Sequence, residues 1–346
     1  MDGGWQDKAG VIHVHSRFSD GAGMPASIAQ AAARAGAQFV VLADHDTLAP
    51  LREGLEGWHG PVLLLIGTEL SPDSGNHYLA VGIDREVPKD GPPQRYIDAV
   101  ASQGGLGFIA HPDYPPPGQY PLKPFPWTDW TAEGFTGIEI WTYSVDWLTG
   151  VTSPWRLVQA LLFPERFVDG PFPETLARWD ELCRAQWAKG RRVVGIGSQD
   201  AHGILYSYRR MFRTIRTHIL IAWDWRGDAK KDKALVLEAL GAGRAYVAYD
   251  GLRDATGFRF WAEQGSRQAP MGGIINRKDG AGVWLRVRAP IPCRLTLRSS
   301  DGVLIEAESD ALDHRVAAAG VYRVEARLAS PRGWRPWVFA NPIYVR

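Results

Sequence analysis

Residues 11–21, VIHVHSRFSDG, and residues 39–47, FVVLADHDT, decide how this chain is read. In the first stretch His13 and His15 alternate on a short apolar run, which points both imidazoles the same way from one strand. Asp20 follows in a tight Ser-Asp-Gly turn. An alanine-rich helix over 26–37, ended by Gly36, leads to an apolar strand over 38–42 that runs out into Asp44-His45-Asp46. Two strand ends thus bring three histidines and up to three carboxylates to one edge of a parallel sheet. Such edges are where α/β folds and barrels place their chemistry. Imidazole and carboxylate converging on loops is what a metal site requires; the plain alternative is surface histidines and helix caps.

The alternation continues outward. PVLLLIG (61–67) ends at Thr68-Glu69, HYLAVG (77–82) alternates as a strand, and a helix is expected over 96–104. A short strand, 107–110, ends at His111-Pro112. GIEIW (137–141) is a strand, 155–163 and 173–189 read as helices, and RVVGIG (192–197) ends at Ser198-Gln199-Asp200-Ala201-His202. A strand over 217–222, a helix over 231–240 and a strand over 244–248 complete a series that indicates a (β/α) barrel or a related parallel architecture. Between His111 and Trp130 runs a proline-rich loop, HPDYPPPGQYPLKPFPWTDW, which is either a lid over the site or a stiff connector. After about Gly251 the texture changes to short alternating strands (VWLRVRA, RLTLRS, VYRVEARL, WVFANPIYVR) without a helix pattern. The expected architecture is therefore a barrel over 1–251 followed by a small all-β, immunoglobulin-like sandwich over 252–346.

Composition narrows the class. The 346 residues are 45% hydrophobic and 22% charged, with a net charge of +1, so bulk electrostatics indicate no nucleic-acid partner. Cys183 and Cys293 lie too far apart in sequence and context to indicate a disulfide framework or a cysteine zinc site. No apolar run is long enough to span a membrane. The polar start, MDGGWQDKAG, has no signal-peptide pattern, so a cytoplasmic location is expected, with a removed export signal as the alternative.

Gathered together, the polar residues at successive strand ends are His13, His15, Asp20, His45, Glu69, His77, His111, Asp200 and His202. They include six of the nine histidines in the chain. Only His59, His218 and His314 lie outside the set, and they are expected to be structural or surface residues. The segments HVHSRFSDG, LADHDT, GTEL, NHYLAVG, IAHPD and SQDAH, in this order, resemble the successive motifs of the PHP (polymerase and histidinol phosphatase) superfamily. The resemblance covers roughly Gly10 to Gly251, and the β-rich tail with its NPIYV ending is similar to that of the carbaryl-hydrolase-like branch.

The resemblance implies a distorted (β/α)7 barrel with two or three divalent metal ions at the strand C-termini. Carried over residue by residue, it assigns one ion to His13, His15, Glu69 and Asp200. A second shares Glu69 and adds His77 and His111, and a third takes Asp20, His45 and His202. A hydroxide bridging two of the ions, held through Glu69 and Asp200, is the implied nucleophile. The donor set, mixed nitrogen and oxygen, suits Mn, Zn or Fe better than Mg or Ca.

Asp44 and Asp46 are either acceptors that orient ligand imidazoles or caps of their own turn. Arg17, Glu139 and Arg209 are the candidate substrate-binding residues, with Arg210 and Lys123 as further cations for a phosphate or carboxylate. Trp127, Trp130, Trp141, Trp147 and Trp155 either line an aromatic pocket or fill core. The expected function is a metal-dependent phosphoesterase acting on a small molecule. The alternatives are a carbamate or carboxylic ester hydrolase with the same centre, and a non-catalytic module whose metals only hold the barrel together.

Overall fold

The computed structural model describes residues 4–113, 125–277 and 282–346. Most of the proline-rich loop, with Lys123, lies outside the described residues. The chain is a mixed α/β structure built on one large sheet. Its first strands and helices are β1 (Gln6–Val14), α1 (Pro25–Ala35), β2 (Phe39–His45), α2 (Ala49–Arg52), β3 (Gly57–His59), β4 (Val62–Leu70) and β5 (Tyr78–Val81). There follow α3 (Pro93–Ser102), β6 (Leu106–Ile109), β7 (Gly137–Thr142), α4 (Tyr143–Thr149), α5 (Pro154–Leu162), α6 (Pro173–Ala188) and β8 (Val194–Ser198). Then come α7 (Tyr208–Met211), β9 (Ile215–Ile221), α8 (Ala229–Gly241) and β10 (Ala245–Tyr249).

Seven strands run side by side in the order β1-β2-β4-β5-β6-β7-β8. Backbone bonds from Gln199 N to Ile12 O (3.0 Å), Ala201 N to His13 O (3.2 Å) and His15 N to Ala201 O (2.9 Å) return the series to β1. Ile12, Phe39, Val41, Leu63, Leu65, Leu79, Phe108 and Ile196 come from strands all round this ring and form one buried cluster with Val236, Ala239 and Leu240 of α8. The alternate residues Val40, Leu42, Leu64 and Ile66 pack instead with Ile28, Ala29 and Ala32 of α1. Strands buried on both faces are the reason these segments read as continuous apolar runs.

Two expectations are corrected. The ring is not all parallel: β5 is antiparallel to both β4 and β6. Residues 71–77 are too few for the helical crossover that a parallel return needs. His77 therefore stands at the start of its strand, beside the end of β4 that carries Glu69. Nor do His13 and His15 simply alternate. The β1–β2 register slips between Ile12 and Val14, and His13 takes φ 67°, so a bulge re-aims its side chain.

The remaining strands are β11 (Arg259–Gln264), β12 (Arg267–Pro270), β13 (Ile274–Ile275), β14 (Val283–Ser299), β15 (Gly302–Val316), β16 (Gly320–Ser330), β17 (Gly333–Ala340) and β18 (Ile343–Val345). The long β14 pairs with β11 through its first half and with β16 through its second. These strands share the ring's sheet, because β17 pairs antiparallel with β10. Along β10, Val247 and Tyr249 face the core of the helical layer, whereas Tyr246 and Ala248 face the C-terminal core of Phe260, Leu285, Val324 and Trp337. Cys183 and Cys293 are buried free thiols. No described helix is long and apolar enough to cross a membrane.

Candidate metal centre

All nine residues meet at one end of the ring. Glu69, 1% exposed, is the hub. Its Oε1 lies 2.9 Å from His111 Nε2 and 3.0 Å from His77 Nδ1, and its Oε2 lies 3.0 Å from His45 Nδ1 and 3.3 Å from His13 Nε2. Asp200 Oδ1 sits 3.3 Å from His15 Nε2 and 3.7 Å from both His13 Nε2 and His202 Nδ1. Asp20 Oδ2 lies 3.2 Å from His202 Nε2 and 3.5 Å from His45 Nε2. His13, His15, His77 and His111 are buried, while Asp20, His45 and His202 are exposed in part, so the centre opens on their side.

Three groups present donor atoms close enough to share an ion: His13 with His15 and Asp200; His13 with Glu69 and His111; and His15 with Asp20, His45 and His202. Relative to the sets carried over from the resemblance, His15 also joins the outer group, and His77 touches Glu69 without entering a group. The fit to divalent cations rests on the donor atoms themselves. His13 Nε2 and both ring nitrogens of His15 are fully buried and make no hydrogen bond among the described residues. A buried polar atom without a partner is unfavourable by about 1–3 kcal/mol. A cation beside the carboxylates would satisfy His13 Nε2 and one nitrogen of His15, the other carrying the ring N–H.

The cluster's carboxylates and most of its imidazoles favour one another's charged forms. Burial disfavours ionised Asp200, yet the imidazoles of His15, His202, His13 and His111 hold its carboxyl well below the usual range. Glu69, equally buried, is held low by His13, His111 and His45. Burial lowers the His15 pKa, which favours the neutral ring with one lone pair free. Against the pull of burial, His45 is pushed up to about 10 by Asp20 and Glu69. Asp200 and Glu69 are thus ionised at any moderate pH.

The orienting partners were only in part legible from sequence. Glu139, expected to touch substrate, is 1% exposed and turned elsewhere. Its Oε1 is 2.8 Å from His13 Nδ1, and its Oε2 accepts the His111 N–H at 2.7 Å and the Thr142 hydroxyl at 3.0 Å. It fixes the tautomer and direction of His13. Asp44 accepts Ser16 N, Ser16 Oγ and Ser19 Oγ, each at 2.7 Å, and so braces the turn before Asp20 rather than an imidazole. Asp46 takes Ser71 N at 3.0 Å and Lys89 Nζ at 2.6 Å. Sequence reasoning missed Ser71, whose Oγ is 2.7 Å from His45 Nδ1, and Ser144, whose Oγ donates to Asp200 Oδ2 at 3.0 Å. A lone serine carries no signal of such a role.

Arg17 is exposed and donates from Nε to Ala22 O (2.9 Å), and Arg209 is exposed on a groove with Gly23, Ser27 and Arg34. Neither faces the cluster's carboxylates, which pair with imidazoles and with no lysine or arginine among the described residues. Trp127, Trp141 and Trp147 are buried, Trp130 is half-buried and Trp155 is 67% exposed. His218, outside the set, lies buried between Asp7 (2.9 Å) and Asp250 (3.0 Å).

No family model matches the chain. An uncharacterized protein of Methanocaldococcus jannaschii is 27% identical over 117 residues, which are 30% of this chain and 67% of that protein. Among solved structures, a two-domain protein from Bacteroides vulgatus is described as containing a predicted PHP-like metal-dependent phosphoesterase. It superposes with a TM-score of 0.48 at 17% identity, covering 97% of this chain and 95% of that one. PsfC from Pseudomonas syringae gives a TM-score of 0.41 at 14% identity, covering 66% of this chain and 88% of that one.

Proposed function

We propose that this chain is a metal-dependent hydrolase of PHP type, a phosphoesterase working with two or three Mn, Zn or Fe ions. In this reading its ring of strands is the distorted (β/α)7 barrel of that superfamily and its C-terminal strands form an immunoglobulin-like sandwich. The observation that carries the reading is the convergence of six imidazoles and three carboxylates around the buried, unbonded His13 Nε2 and His15 ring nitrogens. His13, His15, Glu69, His111 and Asp200 would hold the inner ions, with His77 beside Glu69, and Asp20, His45 and His202 the outer one. When bound, such ions lower the pKa of a water and offset charge on the phosphoryl oxygens.

The chain's own groups set the geometry. Glu139 holds His13, Ser144 holds Asp200 Oδ2, and Asp44 holds the turn that carries Asp20. Hydrolysis joins a water oxygen to phosphorus, breaks the ester P–O bond and returns a proton to the leaving oxygen. The open side, between Asp20, His45 and His202, is where the ester enters. A second reading, an aryl carbamate or carboxylic ester hydrolase, is favoured by the absence of a lysine or arginine paired with the cluster among the described residues.

The test is to purify the protein, measure its metal content, and assay it with Mn or Zn against aryl phosphates, aryl phosphodiesters and aryl carbamates. Phosphoester turnover that disappears in Asp200→Ala and His111→Ala supports the first reading. Turnover on carbamates alone reverses the order. Full metal occupancy without turnover on any ester leaves a metal-stabilised binding module.

A further inference from the structure

A cavity of about 250 Å³ opens directly beside the metal centre, against Asp200 and His202. Ser144, bonded to Asp200 Oδ2, lies at its polar end. Its walls are Tyr143, Trp147, Leu148, Leu205, Tyr206 and Met211, and no lysine or arginine among the described residues lines it. Of the three walls with polar tips, Trp147 and Tyr206 turn theirs away. Trp147 Nε1 donates to Ala160 O at 3.4 Å, and the Tyr206 hydroxyl donates to the same carbonyl. Their rings meet edge to face, with centroids 5.2 Å apart, which fixes the wall. Arg210 stacks over Tyr206 at 4.9 Å and reaches toward Leu161 O rather than into the cavity.

We propose that this cavity receives an apolar, ring-sized group of the ester whose reacting centre lies at the metals, so that the substrate class is aryl or comparably bulky esters. This rests on the hydrolase reading above. A sugar or other polyhydroxylated group placed there would lose its bonds to water and find few partners, an unfavourable exchange. An apolar cavity of about 150 Å³ takes a benzene molecule. The larger volume here has room for a substituted ring or two fused rings. The mouth continues the apolar surface, because Ile204 and Leu205 stand 69% and 58% exposed at its edge. The two ends of the site divide the work: the cluster takes the polar, reacting end and the cavity takes the carbon skeleton.

The experiment is calorimetric titration of the metal-loaded full chain with 2-naphthol, beside a kinetic comparison of 2-naphthyl and methyl esters. The wild type is expected to bind one 2-naphthol saturably. Leu205→Asp, at an exposed position that folding tolerates, and Leu148→Gln should each weaken it at least tenfold. The naphthyl-to-methyl ratio of kcat/KM should fall by a similar factor, through KM. Absence of 2-naphthol binding, or equal binding by wild type and both variants, overturns the proposal. Binding as expected with no ester turned over upholds the cavity and overturns the hydrolase reading instead.

Discussion

His13, His111 and Asp200 take φ values of 67°, 26° and 47°, a region that non-glycine residues seldom occupy. Such backbone is unfavourable by roughly 1–3 kcal/mol per residue and persists where its surroundings over-determine it. Here the surroundings are a shared carboxylate and a strand ring, and the benefit is that three donors turn inward at strand ends. Glu139 is the residue that most directly holds one of them. Glu139→Gln keeps the shape but removes the anionic acceptor from His13 Nδ1; divalent metal affinity should fall about 10–100-fold with the fold intact, as read by metal titration and circular dichroism. His218 works differently. Burial pulls its pKa down, but Asp250 and Asp7 push it up to about 9 from the ordinary 6.5. Its ion pairs therefore contribute fully below about pH 6.5, and the contribution fades as pH rises through about 9. Wild-type stability should drop by up to about 3 kcal/mol between pH 7 and 10 from this group. His218→Gln should be less stable at pH 7 and lack that component of the pH slope in urea titrations.

Among the elements, the turn after β1 decides whether Asp20 reaches the cluster. Gly21 N bonds Ser16 O at 2.9 Å, and a Cβ on Gly21 would sit 2.2 Å from the backbone oxygen of His15. Backbone cannot yield there cheaply, so Gly21→Ala should displace Asp20 and loosen the outer group of Asp20, His45 and His202. Elemental analysis at limiting metal should show this variant losing one ion relative to wild type while the inner ions remain; unchanged stoichiometry would count against the outer site. The bulge in β1 and the antiparallel β5 act in the same sense, since each places a histidine where a regular parallel strand would have pointed it away. Tyr208 adds a tie between two strand ends, its single hydroxyl proton shared between His15 O and His202 O at 2.8 Å each.

For the whole molecule, β10 couples ring to tail. Asn341 is buried and bridges both, accepting from Gly195 N (2.7 Å) and donating to Gly195 O (2.8 Å) and Ala245 O (2.9 Å). Asn341→Leu leaves those groups without partners, and urea unfolding should show a loss of about 2–5 kcal/mol. Arg323, almost fully buried, clamps Asp180 of α6 with bonds of 2.5 and 2.8 Å. The chain cut after Gly251 would expose the β17-pairing edge of β10 together with Leu220, Tyr246 and Ala248. Residues 1–251 alone are accordingly expected to aggregate or unfold, visible by light scattering and circular dichroism, whereas a well-folded fragment would mean that the tail is an independent module.

Much of this could be read before any coordinates. Apolar runs closed by His, Asp or Glu identify buried strands with chemistry at their ends, because a strand that loses both faces to a core has nowhere but its end to place a polar group. All nine residues of the cluster and most of the strands and helices were visible on that basis. Directions and partners were not. Whether β5 returns parallel or antiparallel depends on how far seven residues can travel, and the aim of His13 depends on a slip in register with β2. Glu139, Ser71 and Ser144 acquire their roles from side chains distant in sequence. The largely apolar cavity beside Asp200 exists only where α4 meets the segment after His202. Local pattern specifies what a segment is made of and which face it hides; the neighbour across a gap is set by packing, which no single stretch of chain contains.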